Sequence, residues 1–308
     1  MTSVAIVYIL STFGIDDGLA GQGEQGLCLP PPALWPLAPW VDVAGGVLIT
    51  AGIYAIMALI NKEFNVLRSN TRLQLGLFAL IAAGVPRLVV NINSGIIVAL
   101  VMNVCLMLLF SCYDNPRAVR RVFLAFLMMS VGSMMQYCFL FYIPVLWLVC
   151  AQMRIFRGRT VAASLMGLAT PWIIILGFGI ISPNDIHAPR VIGIFGSYVM
   201  ESAIYLLVIT AVSALMLIGA MVMNVSRTIS YNARDRAFNG ALSLISLVTI
   251  VAIAVNYNNL LAYLPLLNVC AAYQITHWFV NHRFEKQYIA VFAVCCCYAA
   301  FYVWRIVL

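Results

Sequence analysis

Long apolar runs alternate along this chain with five short polar gaps, and those gaps hold fourteen of its seventeen Lys and Arg residues. They carry Lys62, Arg68 and Arg72; then Arg117, Arg120 and Arg121; then Arg154, Arg157 and Arg159; then Arg227, Arg234 and Arg236; then Arg283 with Lys286. Basic residues in short loops are retained on the cytoplasmic side of a membrane. If successive runs cross in alternation, all five gaps face the same side. The pattern predicts an all-α, polytopic transmembrane helical bundle, one integral membrane domain over residues 1–308, with a cytoplasmic N-terminus.

Spans near 20 apolar residues cross a bilayer. On that basis eleven segments are expected, at 3–14, 41–61, 73–85, 95–112, 122–134, 137–150, 160–182, 193–224, 238–256, 260–281 and 288–308. Residues 15–40 form a Gly/Pro-rich outer loop, and 61–72, 113–121, 151–159, 225–237 and 282–287 form cytoplasmic loops. The inner half then carries a net charge of +10 and the outer half −3, which places all of the chain's +7. Segments 73–85, 122–134 and 137–150 have about 13 residues each, roughly 20 Å of helix against a hydrocarbon core of about 30 Å. Segments that turn back at mid-depth need protein or water around the turn, so these pairs predict a cavity.

Composition excludes several classes. The chain is 64% hydrophobic and 9% charged, against about 25% charged in soluble domains, which leaves too little polar surface for a water-soluble fold. The basic groups are dispersed over membrane-flanking gaps and form no single stripe, so no nucleic acid is expected; the expected partners are membrane lipids with anionic headgroups. Eight of the nine cysteines lie inside apolar runs and Cys28 lies in the long loop without a partner there, so all read as small core residues and no disulfide is expected. The N-terminus lacks a positive n-region, and its apolar run leads into Asp16-Asp17, so no cleavable leader is expected. No Walker loop, H-E-x-x-H, G-x-S-x-G or dinucleotide fingerprint occurs, so neither ATP-driven work nor a redox cofactor is expected within the chain.

The candidate site residues map to the outer half. Glu201 lies inside an apolar helix with Tyr198 and Tyr205 at i−3 and i+4, on one face. An intramembrane acid faces a partner or a water-filled cavity. It reads as a binding group for a proton, a cation or a substrate hydroxyl, or as a structural partner for an arginine such as Arg87. Arg87 follows Pro86; its planar fork would bind a lipid phosphate, and the plain alternative is a snorkelling helix-end arginine. Asp16 and Asp17 open the first outer loop, as a general base pair or as two solvated helix-end acids. Asp185, His187 and Arg190 share one polar loop; the spacing supplies no second His for a metal, and no metal is expected. Asn256, Asn258 and Asn259 read as a polar outer turn, and His277 as an interfacial residue near a helix end.

Two resemblances add to this. Residues 61–180 resemble a family of integral membrane proteins from Bacteroidota to which no function is attached. The likeness rests on Asn61-Lys62-Glu63-Phe64-Asn65 with Arg68-Ser69-Asn70, on Asn103, on Tyr142-Ile143-Pro144, on Arg154-Ile155-Phe156-Arg157, and on Gly167 to Pro171-Trp172. It implies a bacterial inner membrane and a multi-pass protein of the cell envelope. At the level of fold the chain is similar to GT-C glycosyltransferases, which use polyprenyl-phosphate sugars and carry an acid in the first outer loop. That likeness implies Asp16 or Asp17 as the base, with Arg87 and Arg190 on phosphate. Three functions therefore stand at this point: a GT-C-like lipid-linked sugar transferase, a non-enzymatic assembly or scaffold subunit bound to other envelope proteins, and a secondary transporter.

Overall fold

The computed structural model describes residues 26–67, 71–85, 87–115, 118–182, 186, 191, 201–228, 231–281 and 287–307. Among them every regular element is helical. The helices are α1 (Pro39–Phe64), α2 (Thr71–Ala83), α3 (Arg87–Val90), α4 (Ser94–Phe110), α5 (Val119–Met135), α6 (Cys138–Gln152), α7 (Gly158–Gly177), α8 (Glu201–Thr228), α9 (Ala233–Val255), α10 (Leu260–Asn281) and α11 (Gln287–Val307). The expected segment at 3–14 lies outside the described residues.

Four helices are long and apolar enough to cross a membrane: α1, α7, α9 and the stretch Tyr205–Arg227 of α8. Several helices outrun the apolar runs that announce them. Helix α1 continues through Lys62 and Glu63, α8 through Arg227, and α9 begins before Arg234-Asp235-Arg236. Long charged side chains let a helix pass from an apolar zone into water without breaking, so hydropathy ends before the hydrogen-bond ladder does. Helix α2 keeps the short length expected, at 13 residues, while α5 reaches 17 and α6 15.

The basic gaps gather at one end of the bundle. Phe64 at the end of α1, Phe110 at the end of α4 and Phe238 early in α9 form one aromatic cluster, with Phe110 stacked on Phe238 at 4.4 Å. The Arg234 guanidinium lies 5.2 Å over the Phe238 ring. The Asp114 N–H, beyond α4, donates to the Met153 carbonyl beyond α6 at 3.0 Å. Tyr231, between α8 and α9, meets the His277 ring of α10 edge-on at 6.1 Å. Four of the five gaps are thereby tied together; the fifth lies outside the described residues.

Helix α10 is the axis. It packs against α2, α4, α8 and α9, and every side chain from 262 to 277 is buried. One close approach depends on Gly95 of α4. Pro265 cannot donate to the Leu261 carbonyl one turn back, and a Cβ on Gly95 would sit 2.4 Å from that oxygen and 2.7 Å from the Pro265 ring. The outside of the bundle is apolar: Leu48, Met166, Ile173 and Leu215 are each about two-thirds or more exposed. Soluble monomers rarely expose contiguous apolar surface on this scale; hydrocarbon is the solvent such an exterior suits.

Candidate functional site

A polar seam runs through the interior along α10. Tyr273 and Gln274 are adjacent, so their side chains diverge by about 100° around the axis and meet different neighbours. Gln274 faces α8 and α9. The Asn224 amide donates to the Gln274 Oε1 at 2.8 Å and to its carbonyl at 2.9 Å, and Gln274 Nε2 donates to the Ser243 hydroxyl at 3.1 Å. Tyr273 faces α2, where the Gln74 amide approaches its hydroxyl.

Gln74 and Tyr273 are almost wholly buried, yet neither amide atom of Gln74 nor the Tyr273 hydroxyl completes a hydrogen bond of normal geometry. An unsatisfied buried polar group costs about 1–3 kcal/mol. Native interiors resolve such groups with water, an ion or a ligand. The amide and the hydroxyl are neutral and offer both donors and acceptors. This set can hold an uncharged polar molecule; it has no group of its own for proton transfer at neutral pH. One turn further along α10, His277 is buried under Tyr231, where an interfacial position was expected. The turn between α8 and α9 closes over it.

A second polar region lies at the end away from the basic gaps, where the chain breaks between α2 and α4. The backbone groups freed there are taken up by side chains. The Ile92 N–H donates to Asp42 Oδ1 at 2.8 Å, Asn93 Nδ2 donates to the Leu88 carbonyl at 3.0 Å, and Asn93 Oδ1 caps α4 through the Ile96 N–H at 3.0 Å. Tyr205 of α8 donates to the Gly84 carbonyl at 2.5 Å, with the Phe301 carbonyl at 3.4 Å. Such a break is tolerated in an apolar setting because its groups are re-bonded.

Of the residues singled out in the sequence, Tyr205 has described contacts, and they tie α8 to the broken segment. Asp16, Asp17, Asp185, His187, Arg190 and Tyr198 lie outside the described residues. Arg87 opens α3 and Glu201 opens α8, with side chains outside the described set. Among the described residues no group of three His, Cys, Asp or Glu side chains gathers for a metal. Gln74, Tyr273, Asn224 and Gln274 escaped the sequence reading, which weighed charges. The available signal was an amide inside an apolar run, as at Gln74 and Gln274.

No protein-family model, curated protein or solved structure matches the chain.

Proposed function

We propose that this chain is a multi-pass protein of the bacterial inner membrane, with its basic end in the cytoplasm, that binds and passes a small uncharged polar solute through the bundle. The observation that carries this reading is the pair Gln74 and Tyr273, buried side by side with their hydrogen-bonding capacity unused. Discontinuous helices recur around transporter sites because irregular backbone offers polar groups inside an apolar zone, and the interruption between α2 and α4 is of that kind. The GT-C-like transferase, with Asp16 or Asp17 as base and Arg87 and Arg190 on a polyprenyl phosphate, draws its support from the sequence alone.

The test is solute flux in vesicles containing the purified full chain. Glycerol and urea serve as probes, with swelling followed by stopped-flow light scattering. Flux above protein-free vesicles is expected, and its loss in Gln74→Met and Tyr273→Phe. Both variants should fold, because removing an unsatisfied polar group is neutral or stabilising. No flux from the unaltered chain, together with a raised melting temperature in Gln74→Met, would make the pair a packing cost, and the assembly or scaffold reading would then lead.

A further inference from the structure

The peripheral helices carry a feature that the interior seam does not use. At the basic end a notch of about 150 Å³ opens between the start of α5, the end of α6 and the start of α7. Its walls include Val122, Trp147, Cys150 and Val161, and Phe156 stands at its mouth, about half exposed. The polar atoms that line it are already engaged. Trp147 Nε1 donates to the Ser164 hydroxyl at 3.0 Å, and that hydroxyl donates to the Val161 carbonyl at 2.7 Å. The Thr160 hydroxyl accepts from the Arg157 N–H at 2.9 Å and lies against the Ile155 and Arg157 carbonyls. What remains for an occupant is hydrocarbon surface.

The rim is cationic. Arg120 and Arg121 immediately precede Val122, while Arg154, Arg157 and Arg159 bracket Phe156 and Thr160; all five are exposed. Among the described residues none of the five is held in an ion pair. Arg121 is anchored by donating to the Ser111 carbonyl at 2.7 Å. Away from the rim, the notch runs into the outward apolar faces of α5 and α7, where Leu124, Met128, Leu165 and Met166 are exposed. Helix α7 packs chiefly on α5 and shows most of its surface to the outside.

We propose that this notch is a binding site for one anionic glycerophospholipid, with an acyl chain against Trp147 and Val161 and the phosphate on the arginines of the rim. The charge decides the occupant. A zwitterionic lipid would fill the notch equally well but would leave five cations without a counter-charge, whereas an anionic headgroup at the mouth meets them at the level where the apolar belt ends. Basic residues next to an anionic surface each contribute roughly fivefold in affinity. Arginine offers a planar fork matched to phosphate oxygens.

The test is native mass spectrometry of the full chain in detergent, titrated with phosphatidylglycerol and, separately, with phosphatidylcholine of the same acyl chains. One phosphatidylglycerol should bind in preference. Replacing Arg154, Arg157 and Arg159 together by Gln should weaken it roughly a hundredfold and leave phosphatidylcholine unchanged. Val161→Trp, which fills the notch, should weaken both lipids; if that variant fails to fold, Phe156→Ser at the exposed mouth should weaken both by a smaller factor. Equal affinity for the two lipids, a Gln variant that retains phosphatidylglycerol, or filling of the notch without effect would overturn the site. Full competition by free glycerol phosphate would also overturn it, since it would make the rim an anion site with no use for the notch.

Discussion

The Tyr137 hydroxyl donates to Asn256 Oδ1 at 3.0 Å and so joins two turns 119 residues apart. The same hydroxyl accepts from Asn259 Nδ2, and Asn256 Nδ2 donates to the Tyr263 hydroxyl at 3.1 Å. The turn between α5 and α6 is thereby latched to the turn between α9 and α10 by a buried network. Tyr137→Phe removes the shared hydroxyl and leaves both asparagines short of a partner. It should lower stability by about 1–3 kcal/mol, read as a fall in melting temperature in detergent. An unchanged melting temperature would mean that the latch contributes nothing.

Glycine gives a paired prediction. A Cβ on Gly46 of α1 would lie 2.0 Å from the Val90 carbonyl, and backbone cannot swing aside, whereas Gly219 of α8 has open space around it. Gly46→Ala should therefore destabilise by about 1–3 kcal/mol or more through overpacking. Gly219→Ala should stabilise by up to about 1 kcal/mol through helix propensity. Thermal unfolding of the two variants side by side checks this, and shifts of the same sign would refute the packing of α1 on α3.

Orientation is open to labelling on intact cells. In a Cys28→Ser background, a cysteine at Phe156, about half exposed at the basic end, should be shielded from a membrane-impermeant maleimide. A cysteine at Trp40, 75% exposed at the opposite end, should react. The reverse result would invert the topology that the positive-inside rule assigns.

Cys112 sits in the turn after α4, and burial raises its thiol above the ordinary range, a shift that the nearby Arg121 only partly offsets. Its Sγ also donates to the Leu108 carbonyl at 3.0 Å, which favours the protonated form. The thiolate is the reactive species. Labelling of Cys112 by N-ethylmaleimide should be slow near pH 7 and should rise as the pH passes 9. Because the folded pKa is raised, the stability this thiol contributes is fully present below the unfolded value and is lost as pH climbs through the folded one. Fast labelling at pH 7 would contradict the burial.

The sequence announced the elements better than their company. The bounds of α10 match the expected 260–281, and the break at Met135-Gln136 falls between α5 and α6, because apolar length and a polar interruption are local properties. The partners of polar residues are not local. Asn256 and Asn259 read as a turn facing water, but Tyr137, far away in sequence, claims them and buries them. Gln74 and Tyr273 likewise become a pair only when α2 packs on α10. Charge-based reasoning settled on Asp16, Arg87, Asp185 and Glu201; the polar groups whose burial is described are amides and hydroxyls, which carry no charge to draw attention.

The enclosure of α10 bears on how the protein is made. A ribosome delivers α1 through α9 first, and the helix that all of α2, α4, α8 and α9 lean on emerges only after residue 259. Until then the earlier helices stand around an empty centre, with Gly95, Asn224 and Ser243 facing lipid or one another. Asn268, Gln274 and Thr276 make α10 itself a poor resident of bare hydrocarbon. Its arrival and its capture by waiting neighbours must be nearly one event. Synthesis of this chain is then closer to closing a keystone arch than to threading beads, and the span of the nascent chain most exposed to quality-control proteolysis is the interval just before the keystone drops in.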